Sequence, residues 1–206
     1  ALDDNGAVLP AGQTGNLSLR VPLPPGCAPT LWQDDDGYRT AYLADFPGWY
    51  RTGDAGSIDA DGDVWVMGRT DVVINVAGHR LSTGAIEEVL AAHQDVAECA
   101  VIGVKDELKG QVPIGLVVLK SGVNRTEAEI AGELVGLVRE RIGPVASVRE
   151  ARVVPRLPKT RSGKILRASI RQLADGETVR VPATIEDPAA LEEVGRILGR
   201  GARPGT

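Results

Sequence analysis

The stretch that decides the fold runs from Ser82 to Leu119 and reads STGAIEEVLAAHQDVAECAVIGVKDELKGQVPIGLVVL. Ser82 or Thr83 caps a helix, because the apolar residues Ile86, Val89 and Leu90 then recur at helical spacing. Two runs typical of buried strands follow, at 100–104 and 114–119. Helix and strands in this order predict a unit of mixed α/β or α+β type.

The pattern continues towards the C-terminus with the same alternation. Thr126 and Glu129 form a capping box at the start of the next helix. The apolar face of that helix consists of Ile130, Leu134, Leu137 and Val138. Gly143-Pro144 ends the helix, and a strand over 150–154 and a short helix over 165–173 follow. We therefore expect one α+β unit over about 71–174.

The segments on either side of this unit differ from it. Residues 1–70 are β-rich, with strands predicted over Asn16–Val21 and Asp63–Met67. A further β-type run over Val72–Val76 ends at Ala77-Gly78. Residues 175–206 are polar and contain Pro and Gly, with a weak helix near 191–198. The sequence therefore predicts a β-rich domain end, a small α+β domain and a C-terminal tail.

Composition limits the classes of function. The 206 residues carry a net charge of −5, which argues against nucleic acid as the main partner. No apolar run is long enough to span a membrane, and the start of the chain has no secretory signal. Cys27 and Cys99 lie far apart without metal or redox spacing, so we expect a cytoplasmic protein.

Tyr50–Asp54, which reads YRTGD, is the first of three stretches that could carry chemistry. The Asp54 carboxylate follows a Thr-Gly turn and is suited to accept hydrogen bonds from the two hydroxyls of a ribose. An Asp that satisfies its own backbone in a turn would look the same. The stretch alone therefore leaves both interpretations open.

The second stretch, Gly68–Arg80, places Arg69 and Arg80 at the two ends of a β-type run. Arginine donates several coplanar hydrogen bonds to hydroxyls and phosphates, and Gly78 allows a backbone to approach a ligand closely. A charged hairpin with glycine in its turn is the structural alternative.

The third stretch, Pro158–Arg167, reads PKTRSGKILR and is a basic loop that opens a helix. Lys164 and the helix N-terminus could hold a phosphate or carboxylate there. The spacing is not that of a P-loop, because Lys159 stands where the first glycine belongs and Ile165 where a hydroxyl residue belongs. A solvated basic helix end is the alternative.

The three stretches occur in the same order in the acyl-adenylate-forming enzymes, which this chain resembles over nearly its whole length. Ile74–Glu88 is similar to the short-chain acyl-CoA synthetase branch. The stretches that resemble propionate–CoA ligases more than acetate ones are Pro22–Trp32, Phe46–Tyr50, Lys109–Pro113 and Val181–Pro188. The resemblance implies that residues 1–70 end a large N-terminal domain with β-barrel-like strands, followed by a small mobile C-terminal domain.

The resemblance also implies residue roles in adenylate formation. Lys164 would be the catalytic lysine, bridging the acyl carboxylate and the α-phosphate of ATP. Asp54 and Arg69 would hold the ribose, and Arg80 would contact the nucleotide phosphates. The same lysine would be a target of a protein acetyltransferase and a deacetylase.

Further implied roles concern CoA, the hinge and a metal. Ala77 and Gly78 would line the pantetheine tunnel, and Arg139 would meet the CoA 3′-phosphate. Asp71 matches the hinge of the family, although Val72 follows it where many relatives have a second acidic residue. The region near His93 corresponds to a place where relatives hold a cation. The position of His93 at a helix end would also suit a helix cap.

The implied reaction joins a short-chain carboxylate, propionate or acetate, to CoA with ATP and Mg²⁺, releasing AMP and pyrophosphate. The glycine-rich phosphate loop of the family does not occur in this sequence, so we expect the chain to be part of a longer protein and inactive alone. Two alternatives are an adenylation domain that loads a carrier protein and a standalone, non-catalytic module.

Overall fold

A computed structural model describes residues 1–70, 72–146 and 148–199. The chain divides into two compact units, Ala1–Asp71 and Val72–Thr206. No helix in the described ranges is long and apolar enough to cross a membrane.

The first unit contains an antiparallel sheet of three strands in the order β1-β2-β3. The strands are β1, Gly15–Arg20, β2, Trp49–Ile58, and β3, Val64–Arg69. The helix α1, Asp35–Tyr42, precedes β2, and the Asp34 side chain caps it. The positions of β1 and β3 agree with the sequence prediction, whereas α1 had not been expected.

The sheet of the first unit is open, which corrects the barrel-like arrangement expected for residues 1–70. Closing a barrel requires more strands than the three described here. The outer strand β3 pairs with β2 alone, and its residues Val64, Trp65 and Val66 are more than half exposed.

The second unit contains a mixed sheet of five strands. They are β4, Val73–Val76, β5, His79–Ser82, β6, Val96–Asp106, β7, Gly110–Leu119, and β8, Glu150–Val153. The order is β5-β4-β7-β6, and β8 pairs with β7 in parallel. Strands β6 and β7 form a long hairpin, paired from Val96↔Leu119 to Asp106↔Gly110 with a register shift between Val96 and Glu98.

Helices cover both faces of this sheet. They are α2, Thr83–Ala91, α3, Glu127–Arg141, α4, Arg167–Ala174, and α5, Pro188–Ile197. Ser82 caps α2, and Thr126 and Glu129 form the predicted capping box of α3. One core cluster joins the sheet to α2 and α3, and the other joins it to α4 and α5. The predicted α/β character of this part of the chain is therefore confirmed.

The segment after residue 174 belongs to this unit, in contrast to the separate tail that we expected. Val179, Ile185, Leu191 and Val194 are all buried in the cluster that contains α4. Lys105 of β6 donates its backbone N–H to the Asp175 carboxylate at 2.8 Å, which ties the start of the segment to the sheet. The helix over Pro188–Ile197 agrees with the weak helix predicted near 191–198. The packing of the segment was not predicted, because its apolar residues are scattered and acquire a common face only in the folded unit.

Candidate active site

Lys164 lies on a tight hairpin between the sheet and α4. Lys159 and Ile165 form a β-bridge across its base. The Thr160 N–H donates to the Lys164 carbonyl at 2.8 Å, and the Gly163 N–H donates to the Thr160 carbonyl at 2.8 Å. Gly163 has a φ of +81°, which favours glycine at this turn position. The hairpin therefore presents Lys164 on a backbone fixed by its own hydrogen bonds.

The Lys164 side chain is exposed, and within the described residues no ion pair or hydrogen bond engages its ammonium. Lys159, five residues earlier, differs, because its ammonium lies 2.8 Å from the Glu98 carboxylate. Of these two lysines, only Lys164 presents a cation whose hydrogen bonds are all available to a ligand. The sequence could not separate the two, because Glu98 lies on a distant strand.

An ion pair that the sequence did not indicate fixes the beginning of α4. Arg167 donates from Nε and Nη2 to the two oxygens of Glu87, at 3.0 and 2.9 Å. The same carboxylate accepts the Val101 N–H at 2.8 Å, on the unpaired edge of β6. Cys99 donates to the Glu87 carbonyl at 3.3 Å, and burial followed by the Glu87 charge raises the pKa of its thiol to about 11. The thiol is therefore protonated at neutral pH and unsuited to nucleophilic chemistry.

Ala77 and Gly78 form the turn between β4 and β5. Both have positive φ, 49° and 86°, as a two-residue turn of this type requires. The Ala77 N–H donates to the Lys109 carbonyl at 2.8 Å, which fixes the turn beside the β6–β7 connection. A Cβ on Gly78 would have no atom within 4 Å, so the turn faces open space. Arg80 follows on β5, half-buried and opposite Asn75.

The Lys164 hairpin and the Ala77-Gly78 turn contact opposite ends of β6. Lys159 of the hairpin contacts Glu98, near the beginning of the strand, whereas the turn contacts Lys109, just beyond its end. Eight residue steps separate Glu98 from Asp106 at the strand's end, or about 26 Å at 3.3 Å per residue. The second unit therefore does not bring its two predicted functional features together.

The first unit brings Asp54 and Arg69 together as register neighbours on β2 and β3. Arg69 Nη1 lies 3.4 Å from Asp54 Oδ1 and donates to the Thr52 carbonyl at 3.1 Å. Gly53 has a φ of +79°, and an added Cβ would lie 2.6 Å from the Arg69 guanidinium. Glycine is thus needed for the arginine to lie across the turn, and the Asp54 side chain stays more than a third exposed.

The remaining predicted residues are Arg139, Asp71 and His93. Arg139 lies on the exposed face of α3. Asp71, the expected hinge, lies outside the described residues. His93 has a structural role, because its Nδ1 accepts the Asp95 N–H at 3.2 Å and its Nε2 lies 3.1 Å from a Glu133 oxygen.

The contacts of His93 argue against its predicted role as a metal ligand. With Nδ1 accepting, the proton resides on Nε2 and is donated to Glu133, so neither nitrogen offers a lone pair. Glu133 also pairs with Arg125, and these partners, Arg125 first, lower the pKa of Glu133 to about 2. No group of three or more His, Cys, Asp or Glu side chains in the described ranges could hold a metal ion.

Known proteins resemble this chain in sequence and in fold. Residues 85–164 match the family model of the AMP-binding enzyme C-terminal domain, so the match ends on Lys164. The chain is homologous to short-chain acyl-CoA synthetases, which are AMP-forming ligases, and the homology covers about 95% of it.

Two curated relatives and one solved structure illustrate the similarity. The chain is 58% identical over 94% of its length to an uncharacterised protein of Pseudomonas aeruginosa. It is 48% identical over 96% of its length to the mitochondrial acyl-CoA synthetase short-chain family member 3 of Mus musculus. It spans 31% and 29% of these two relatives. The structure of the ATP-bound RpMatB-BxBclM chimera B1 matches with a TM-score of 0.66 and 26% identity, over 84% of this chain and 33% of that one.

Proposed function

We propose that this chain forms the C-terminal part of a short-chain acyl-CoA synthetase. The complete enzyme converts propionate or acetate, ATP and CoA into acyl-CoA, AMP and pyrophosphate. The observation that carries the proposal is the exposed ammonium of Lys164, which has no partner in the part of the chain that the structure describes, on a fixed hairpin at the end of the family match. Because the chain spans less than a third of its curated relatives, the remaining part of the site belongs to other residues of the longer protein.

In the first half-reaction, a carboxylate oxygen of the substrate attacks the α-phosphorus of ATP, and pyrophosphate leaves with its bonding electrons. The Lys164 ammonium stabilises the negative charge shared by the carboxylate and the α-phosphate. A flexible point charge suits this task, because it follows the charge without fixing a plane. Asp54 accepts hydrogen bonds from the ribose hydroxyls, Arg69 orients that carboxylate, and Arg80 contacts the phosphates. Mg²⁺ bound to the ATP phosphates would supply the positive charge that neutralises them.

In the second half-reaction, the CoA thiolate attacks the acyl carbonyl, and AMP leaves. The Ala77-Gly78 turn supplies a backbone without large side chains along which pantetheine passes. Arg139 supplies an exposed guanidinium for the CoA 3′-phosphate. The positions of Lys164 and Gly78 towards opposite ends of β6 support a rotation of this domain about Asp71 between the half-reactions.

The preference for propionate rests on Pro22–Trp32, Lys109–Pro113 and the other stretches that resemble propionate–CoA ligases. Cytoplasmic location stays a prediction from cysteine usage. We further propose that acetylation by a protein acetyltransferase removes the Lys164 charge and stops adenylation, and that a deacetylase restores it.

The test compares Lys164→Ala with Lys159→Ala in the complete enzyme. Propionate-dependent ATP–pyrophosphate exchange should fall by about a hundredfold or more in Lys164→Ala, because one lost electrostatic contact costs about 3–4 kcal/mol. Thioester formation from supplied propionyl-adenylate should change little. Lys159→Ala should stay near wild type, since it removes only a partly exposed pair with Glu98.

Other outcomes would each contradict a different part of the proposal. If Lys164→Ala lost both half-reactions equally, the assignment of Lys164 to adenylation would be wrong. Exchange with propionate or acetate but transfer only to a carrier protein would show the adenylation-domain alternative. No carboxylate-dependent exchange by the wild-type protein would refute the function.

A further inference from the structure

The Lys164 hairpin is paired on its outer side by a segment that the proposed reaction does not yet use. We call residues 182–187, which join α4 and its following turn to α5, the brace. The Arg161 N–H donates to the Thr184 carbonyl at 3.0 Å, and the Glu186 N–H donates to the Lys159 carbonyl at 2.9 Å. Between these bonds, Thr160 and Ile185 form a β-bridge. The brace thus adds a short strand to the arm of the hairpin that leads to Lys164.

The brace is itself anchored in the core. Ile185 is only 5% exposed and belongs to the cluster that joins the sheet to α4 and α5. Beyond the brace, Leu191 and Val194 of α5 are almost fully buried in the same cluster. Movement of the brace would therefore expose apolar surface.

One arginine connects the brace to the segment that enters the hairpin. Arg156 Nη1 donates to Asp187 at 2.6 Å, and its Nε and Nη2 donate to the two oxygens of Glu193 at 3.0 Å each. Asp187 is also the N-cap of α5, where its side chain accepts the Ala189 N–H at 2.9 Å. A bidentate pair of this kind adds geometric specificity as well as energy. Arg156 therefore holds the end of the brace and the beginning of α5 against the chain that leads into the Lys164 hairpin.

We propose that the brace, held by Arg156, positions the Lys164 hairpin for adenylation, and that Arg156 and Asp187 are positioning residues for that half-reaction. The inference rests on the proposed function for its effect on activity. Its structural part, that these residues order the hairpin, stands on the contacts alone. Neither residue touches the reacting atoms, so their effect passes through the geometry of the hairpin.

The chain offers a matched control in Glu177. This residue also lies in the segment after α4 and also pairs with a sheet residue, Lys105, but among the described residues it makes no hydrogen bond or ion pair with the hairpin. Glu177→Gln therefore removes an ion pair between the same segment and the sheet without loosening the brace. The test variants are Arg156→Met, which removes both ion pairs, and Asp187→Asn, which keeps a capping residue and removes one charge.

In the complete enzyme, Arg156→Met should lower propionate-dependent ATP–pyrophosphate exchange about tenfold, less than the roughly hundredfold that a 1 Å misplacement can cause. Thioester formation from supplied propionyl-adenylate should stay at the wild-type rate. Asp187→Asn should act in the same direction by a smaller factor, and Glu177→Gln should have no effect. Asp187→Asn alone decides the question if Arg156→Met does not fold.

Hydrogen exchange of backbone amides gives a second measurement that does not depend on activity. The amides of Thr160 and Gly163 should exchange faster in Arg156→Met than in wild type, and should not change in Glu177→Gln. The proposal would be overturned if amide hydrogen exchange were unchanged in both Arg156→Met and Asp187→Asn. It would also be overturned if these variants lost both half-reactions equally. If the Thr160 and Gly163 amides exchange faster in Arg156→Met while the wild-type enzyme makes no adenylate, the positioning role of the brace is supported and the proposed function is refuted separately.

Discussion

Replacing Arg167 with Met tests how the beginning of α4 is fixed behind the Lys164 hairpin. The wild-type guanidinium makes two charge-assisted hydrogen bonds to Glu87, and the two side chains are only 27% and 18% exposed. The variant keeps most of the side-chain volume but leaves the Glu87 carboxylate with the Val101 N–H as its hydrogen-bond partner at 2.8 Å. The expected loss is therefore that of an unpaired, largely buried anion.

The exposed fractions of Arg167 and Glu87 determine how much unfolding free energy the variant loses. Losing a fully exposed ion pair costs up to about 1 kcal/mol, whereas removing one partner of a fully buried pair costs about 3–5 kcal/mol. The Arg167–Glu87 pair lies between these cases, and we expect a loss of about 2 kcal/mol. For a unit of this size, each kcal/mol lowers the unfolding midpoint by about 3–5 °C, so the midpoint should fall by about 6–10 °C.

The assay is thermal unfolding of the chain followed by helical circular dichroism, which reports mainly the second unit because α2–α5 lie there. Arg149→Met is the control, since Arg149 is 60% exposed and lies 3.6 Å from Asp106. Its midpoint should fall by about 5 °C or less. The double variant Glu87→Gln with Arg167→Met should recover part of the loss, because no unpaired anion remains. Equal midpoints for Arg167→Met and Arg149→Met would refute the reasoning.

Three further predictions follow from the site and its surroundings. Gly78→Leu should lower thioester formation and spare pyrophosphate exchange, whereas Gly122→Leu, which has the same positive φ and equal open space, should spare both half-reactions. Treatment with a protein acetyltransferase should modify Lys164 ahead of Lys159, as mass spectrometry of the two sites would show, because only Lys159 is ion-paired. An ion pair with arginine holds the pKa of Glu133 near 2, below its ordinary 4.5, so its contribution to stability is present above pH 4.5 and lost as the pH falls towards about 2. Unfolding midpoints of wild type and Glu133→Gln should accordingly converge over that acid range, and a constant difference would contradict the assignment.

The part of the chain with strong apolar periodicity was predictable from sequence. The ends of its strand β6 were not, because periodicity reports which face a side chain occupies and not how far a strand is paired. The capping box at Thr126 and the helix after Ser82 were located from sequence, because their caps and apolar faces lie within one local pattern. Strand β6 begins four residues earlier than the predicted run and ends two later. The additional residues are held by ladder pairing with β7, which leaves no trace in side-chain periodicity.

Helix α1 shows the opposite case, in which a helix forms with little apolar signal. Its sequence is mostly polar, and Tyr38 is the residue of α1 that becomes buried. Tyr38 and Tyr42 pack against Tyr50 of β2, with ring centroids 6.3 and 5.0 Å from it. The helix is therefore stabilised by an aromatic cluster assembled from two separate segments, which no local window contains.

The candidate site also combines features that a local sequence pattern reveals with features that depend on contacts between distant segments. Local motifs identified Asp54, Arg69, Gly78 and Lys164 as residues of interest, and the structure pairs the first two across β2 and β3. Which lysine of the basic hairpin is available, and what holds the hairpin, depend on Glu98, Glu87 and the brace. These partners lie between roughly twenty and eighty residues away along the chain, so only tertiary structure reveals them.

The separation of the Lys164 hairpin from the Ala77-Gly78 turn constrains any mechanism that uses both. The hairpin contacts Glu98 and the turn contacts Lys109, and the eight residue steps of strand from Glu98 to Asp106 alone span about 26 Å. The β6–β7 hairpin is paired continuously from Glu98↔Val118 to Asp106↔Gly110 and is buried along 100–104 of β6, so local bending of the strand does not bring the two features together. Under the proposed function, the lysine would act on the adenylate and the glycine turn would admit the thiol, so the two features would serve one acyl group in succession. Their separation within this unit therefore supports the part of the proposal in which the two half-reactions use different orientations of the unit.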